Sequence, residues 1–183
     1  SDEFVCHSAL YDLVDQRVIY PLSGNVEVFD KRRHAATVHV ESFQKHDATV
    51  VAICSSNSRL FLATADVKTI RVWDPRTFVE VATLSNERQK NISSLSFSSD
   101  DVKIVAVSSG GLFVWLAVNG DWRDTKLAFH TLAGREKVHF ALFDLGGNIV
   151  SGGRTHVNFW SENQSTSTLA LSKGVLSERC IDE

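Results

Sequence analysis

The sequence predicts an all-β protein: about four blades of a β-propeller, each a sheet of four antiparallel strands, forming part of a larger propeller. Three observations predict it. The first is a repeated phrase. Thr69–Asp74 reads TIRVWD, with Ile70 and Val72 alternating with Arg71 and Trp73, and Pro75 stops the strand. NVEVFD (25–30), GLFVWL (111–116) and HVNFWS (156–161) repeat it. Their aromatic ends, Phe29, Trp73, Trp115 and Trp160, are 44, 42 and 45 residues apart, a period in the range of propeller blades. The second is that the joints between strand-like runs have hairpin length. The third is that no segment longer than one turn combines helical periodicity with caps.

The units follow in order. Residues 1–43 are the least regular, with strands expected at Val5–Leu10, Val18–Leu22, Asn25–Asp30 and Ala36–Val40, and the basic turn Lys31-Arg32-Arg33-His34 between the last two. Residues 44–85 are the clearest unit, with strands at Val50–Ser55, Arg59–Ala65, Thr69–Asp74 and Val79–Leu84. Residues 86–132 repeat the plan through Ile92–Ser98, Lys103–Ser108, Gly111–Leu116 and Lys126–Leu132, with Asn119–Asp124 (NGDWRD) as a longer turn. Residues 133–172 do so through Val138–Phe143, Asn148–Gly153, His156–Ser161 and Ser167–Leu171, and 173–183 run on toward a further blade. Alternation places Val51, Ile53, Leu60, Leu62, Ile70, Val72, Leu95, Phe97, Val105, Val107, Phe113, Leu142, Ile149, Val157 and Phe159 in the core.

The chain of 183 residues is 43% hydrophobic with a net charge of −3, which gives no case for nucleic-acid binding. No apolar run approaches membrane-spanning length, and no signal segment opens the chain. It has no methionine and begins mid-phrase, so a piece of a longer polypeptide, or a chain trimmed to its ordered part, is expected. Cys6, Cys54 and Cys180 have no metal-ligand or disulfide spacing; Cys54 reads as a buried apolar residue, and a reducing compartment fits. HExxH, paired CxxC, GxxxxGK[ST] and GxSxG are absent, and the seven histidines do not cluster. No catalytic residue, cofactor or metal is therefore expected.

The third strands resemble those of the WD-repeat family, with Trp73-Asp74 the literal pair and Lys45-His46 where that family usually has Gly-His. In that family a histidine, a strand hydroxyl, a turn aspartate and the tryptophan form a hydrogen-bonded set. The resemblance implies His46, Thr64 and Trp73 as members here. The usual place of the aspartate, six residues before the tryptophan, is Val67, and Asp66 lies one residue off. The run of VIYPLSGNVEVFD, QKHDATVVAIC, LATADVKTIRVWD, GGLFVW, VHFALFDLGGNIVSGG and THVNFW is more specific. It resembles the first blades of the propeller in echinoderm microtubule-associated protein-like proteins, over roughly residues 18–183. That likeness implies a tandem pair of propellers, tubulin as partner, and a cytoplasmic, cytoskeletal setting that extends to the ciliary or flagellar axoneme. The remainder of the polypeptide would complete the propeller.

What remains for function is surface. Loops entering each first strand and loops between second and third strands share one propeller face. Lys45, Lys68, Arg88, Lys90, Arg135, Lys137 and Arg154 fall there, against Asp47, Asp66, Glu87 and Glu136. The opposite face balances eight acids against seven bases. The expected function is a non-catalytic scaffold docking on tubulin through the basic face. The alternative is a peptide-binding adaptor in a signalling or assembly complex.

Overall fold

The computed structural model describes residues 11–12, 17–22, 25–30, 37–39, 46–109, 111–132, 137–163 and 168–174. Every regular element among them is a strand, and the strands form four sheets in sequence order. Blade 1 holds β1 (Tyr11–Asp12), β2 (Arg17–Leu22), β3 (Asn25–Asp30) and β4 (Thr37–His39). Blade 2 holds β5 (Ala52–Ser55), β6 (Leu62–Ala65), β7 (Thr69–Trp73) and β8 (Glu80–Ser85). Blade 3 holds β9 (Ser94–Phe97), β10 (Lys103–Ser108), β11 (Gly111–Val118) and β12 (Asp121–Thr131). Blade 4 holds β13 (Phe140–Phe143), β14 (Ile149–Gly152), β15 (Val157–Asn163) and β16 (Thr168–Lys173). All pairings are antiparallel, and each sheet is a simple meander. The fold is therefore a partial β-propeller, as the period required.

The first strands β1, β5, β9 and β13 adjoin in succession, so the sheets stack as blades around a common side. Each interface has its own core. Ile19, Val26 and Val28 of blade 1 meet Ile53, Leu62 and Trp73 of blade 2. Ala63, Ile70 and Val72 meet Leu95, Phe97 and Ile104 of blade 3. Val105, Val107 and Val114 meet Ala141, Ile149 and Trp160 of blade 4. Successive side chains of a strand point to opposite faces, so each blade supplies alternate residues to two different cores.

Several elements depart from the sequence expectation. The expected first strand of blade 1 lies outside the described residues; β1 is Tyr11–Asp12. Pro21 lies within β2, opposite Val26. The NGDWRD turn is shorter than expected. Asn119 and Gly120 alone make it, with φ of 54° and 78°, and Val118 pairs with Asp121. Positive φ at both central residues is the Asn-Gly hairpin geometry whose twist matches the flanking strands. The gain in strand length buries Trp122, whose Nε1–H donates to the Asp101 carbonyl at 3.0 Å and whose ring packs edge-on to Phe97. Leu60 is not core: it is 51% exposed, in the turn before β6, next to Arg59 at φ 59°. Leu142 and Phe159 are 43% and 46% exposed, because they lie on the face of blade 4 that no described blade covers. Val51 and Val157 are half-buried. The other ten expected core residues are buried.

Leu62 is fully buried between blades 1 and 2, so Leu62→Ala should cost about 2–5 kcal/mol, lost transfer energy plus cavity. Leu60→Ala should change stability by less than about 0.5 kcal/mol. Urea denaturation midpoints of the two variants check the register.

Candidate functional site

A buried, continuous polar assembly lies inside blade 2. The Trp73 Nε1–H donates to Thr64 Oγ1 at 2.8 Å. Thr64 Oγ1 is 2.8 Å from His46 Nε2, and His46 Nδ1 is 3.0 Å from Asp66 Oδ2. Asp66 Oδ1 accepts the backbone N–H groups of Lys68 and Thr69 at 2.7 and 2.8 Å. The Asp66 carboxylate can only accept, so His46 Nδ1 carries a hydrogen and donates it there. With the imidazole neutral, Nε2 accepts from the Thr64 hydroxyl, which itself accepts from the indole. Burial holds the His46 pKa below its ordinary 6.5 despite the neighbouring carboxylate. Burial alone would raise Asp66, but the Lys68, Thr69 and His46 donors outweigh it and keep it below the usual range.

His46, Thr64 and Trp73 thus meet as expected, and the aspartate is Asp66, seven residues before the tryptophan. The turn chemistry explains the offset. Asp66 closes the β6–β7 joint through two backbone N–H groups, which the side chain of Val67 has no acceptor to do. An Asp–His–hydroxyl chain is also the arrangement of an activated nucleophile. Here Thr64 is fully buried and already accepts the indole proton, so the chain is a clamp. Asp74 holds the following turn, accepting the Arg76 N–H at 2.8 Å.

The other blades keep the position and change the partners. In blade 3 the register counterpart of Thr64 is Ala106, which has no hydroxyl. Trp115 Nε1 instead donates to Gln89 Oε1 at 3.0 Å, and Gln89 Nε2 donates to the Lys68 carbonyl of blade 2 at 3.1 Å. Gln89 occupies the entry loop as His46 does one blade earlier. In blade 4 Trp160 Nε1 donates to Ser151 Oγ at 2.8 Å. In blade 1 the Tyr20 hydroxyl donates to Glu27 at 2.7 Å; the side chain of Phe29 lies outside the described residues.

Five of the seven cations expected on one face lie among the described residues. Lys68 sits in the β6–β7 joint, Arg88 and Lys90 in the loop into β9, Lys137 in the segment into β13 and Arg154 in the β14–β15 turn. All five are exposed. A backbone hydrogen bond from Ile92 to Val67 ties the first two of these segments together, and one from Ser109 to Lys90 ties the loop into β9 to the β10–β11 turn. Lys45 and Arg135 lie outside the described residues.

Sequence reasoning missed Gln89 and Asp101. Gln89 reads as one polar residue of a charged loop. Asp101 reads as a turn former, yet its carboxylate crosses to blade 2 and accepts the N–H groups of Asn57 and Ser58 at 2.5 and 2.9 Å. The only available signal for Gln89 was its place before a first strand, matching His46.

No protein-family model matches the chain. Among solved structures, a chain of the crystal structure of the mitotic checkpoint complex superposes with a TM-score of 0.67 at 16% identity. The match covers 93% of this chain and 50% of that one, so the chain spans about half the length of that protein. At such identity the likeness establishes architecture: a WD-repeat-like β-propeller fold, represented here by four blades.

Thr64→Val would leave the Trp73 N–H and the imidazole without their buried partner, and should cost about 1–3 kcal/mol by chemical denaturation. A separate expectation concerns pH. Since His46 is held neutral when folded, the unfolded chain takes up its proton first as pH falls below 6.5. Stability should therefore fall from about pH 7 to pH 5. His46→Gln, which copies the Gln89 arrangement, should remove much of that slope in melting temperatures measured across the range.

Proposed function

We propose that the chain is a non-catalytic β-propeller scaffold that docks through its basic face on an acidic protein surface, with tubulin in microtubules as the partner. One observation carries the reading. Lys68, Arg88, Lys90, Lys137 and Arg154 are exposed on a single face and, among the described residues, none is in an ion pair. Of the acids on that face, Asp66 is consumed in the blade 2 clamp, Asp47 and Glu87 are exposed, and Glu136 lies outside the described residues.

The opposite face differs in how its charge is used. Lys103 pairs with Glu162 across blades 3 and 4, and Arg76 with Asp74 at 3.6 Å. Among the described residues, its unpaired cations Arg59 and Arg123 stand among Asp74, Asp100, Asp121 and Asp144; Lys31, Arg32 and Arg33 lie outside the described residues. An acidic partner is thus attracted to one face and not to the other. The choice of tubulin rests on the sequence resemblance and on the acidity of its tails, and it carries the cytoskeletal, cytoplasmic or axonemal setting with it. The apolar outer face of blade 4 supports further blades from the same polypeptide.

Exposed charge pairs contribute roughly 0.2–1 kcal/mol each, so binding should depend on the set and weaken with salt. Changing Arg88, Lys90, Arg135 and Lys137 together to glutamate should abolish co-sedimentation of the intact protein with microtubules. The same change at Lys31, Arg32 and Arg33 should do much less. Equal effects would refute the assignment of the face. Salt-insensitive binding unaffected by either set would refute electrostatic docking.

A further inference from the structure

The wedge between neighbouring blades is not filled the same way twice. On the side of blade 3 that faces blade 2, Ala106, Phe113 and His130 are cross-strand partners. The Phe113 and His130 rings pack at a tilt of 41° with centroids 4.6 Å apart. Opposite them Leu84 of blade 2 is fully buried, and Phe113 belongs to the same core. The matching positions of blade 4 are Ser151, Asn158 and Lys173. The counterpart of Leu84 in blade 3 is Thr131. Two rings and a leucine thus give way to an amide, a lysine and a threonine.

Among the described residues the wedge between blades 3 and 4 consequently stays open, as a groove of about 690 Å³. Its wall carries Leu132, Val138, Val157, Trp160, Leu169 and Leu171, beside the polar Thr131, His156 and Asn158. Leu132 is 73% and Leu171 47% exposed. Lys173 lines it, Lys137 precedes Val138, and Arg154 precedes Thr155, another lining residue. These three cations are exposed and, among the described residues, in no ion pair. Glu162, an acid on the same side of the sheet, is already paired with Lys103.

We infer that this groove is a docking site for an extended peptide segment of a partner protein, with apolar side chains in the groove and an acidic residue at the Lys137–Arg154–Lys173 rim. The charge of the rim selects the acid, and the wall selects the apolar side chains. A peptide fits better than an acyl chain because β12 and β16, which flank the wedge, are the edge strands of their sheets. Edge strands leave backbone N–H and C=O groups free to pair with another main chain. The site does not depend on the partner proposed for the wider basic face.

A random dodecapeptide library displayed on phage, panned against the intact protein, tests this. The counter-selection uses the double variant Asn158→Phe with Lys173→His, which fills the wedge as blades 2 and 3 fill theirs. Enriched peptides should carry alternating apolar residues and an aspartate or glutamate. A synthetic enriched peptide, followed by calorimetric titration, should bind Leu171→Glu about tenfold or more weakly than wild type. Leu171 is partly exposed, so this variant should keep the wild-type melting temperature and serves if the filled variant does not fold. Arg88→Glu with Lys90→Glu should leave peptide affinity unchanged while weakening microtubule binding, which separates the two readings. The inference is overturned if no peptide is enriched, if the enriched peptides lack acids, or if Leu171→Glu binds them as wild type does. It is also overturned if dodecanoate binds the groove and the peptides do not.

Discussion

A four-stranded antiparallel sheet with apolar residues on both faces cannot satisfy either face alone, and the whole structure follows from that constraint. Each blade here is such a sheet. Ala63 and Val72 on one side of blade 2 are covered by blade 3, while Leu62 and Trp73 on the other are covered by blade 1. Removing one blade would expose two cores at once. The same constraint explains why Phe140, Leu142 and Phe159 are exposed in blade 4. They occupy the face whose counterparts in blade 3, Val105 and Val114, are buried against a neighbour.

Apolar stacking does not by itself fix how far one blade is rotated against the next. Directional bonds do that, and they sit at both ends of the wedges. At one end Gln89 of the blade 3 entry loop reaches the Lys68 carbonyl of blade 2. At the other, Asp101 takes two backbone N–H groups of the blade 2 turn, and Arg17 of blade 1 donates to the Pro75 carbonyl at 3.0 Å and lies over the Phe78 ring. The clamp of Asp66, His46, Thr64 and Trp73 serves the same end within a blade, locking the entry loop onto the third strand. Buried polar groups so fully paired specify one geometry more sharply than hydrophobic contact does.

Parts of the candidate site were legible because they are local. Trp73 and Thr64 are on adjacent strands in a register that alternation sets, so their meeting follows from strand pairing. The exposed cations of the basic face follow from which joints lie at which end of a meander. Asp66 was harder to assign: whether it or Val67 holds the turn depends on which backbone N–H groups converge there. Gln89 and Asp101 were harder still, because their partners lie in the preceding blade, 21 and about 44 residues away in the chain.

The sequence alone determined the all-β class, the blade period, the boundaries of most strands and most of the residues that alternate into the cores, since these depend on near neighbours and on the two-residue repeat of a strand. Only the tertiary structure decided which exposed faces remain open, which acid or amide anchors each indole, and which wedge is filled. Those outcomes depend on residues of different blades meeting at one register position. Phe113 and His130 close the wedge between blades 2 and 3, while Asn158 and Lys173 at the matching positions leave the next one open, and no single strand's sequence carries that comparison until the sheets are stacked.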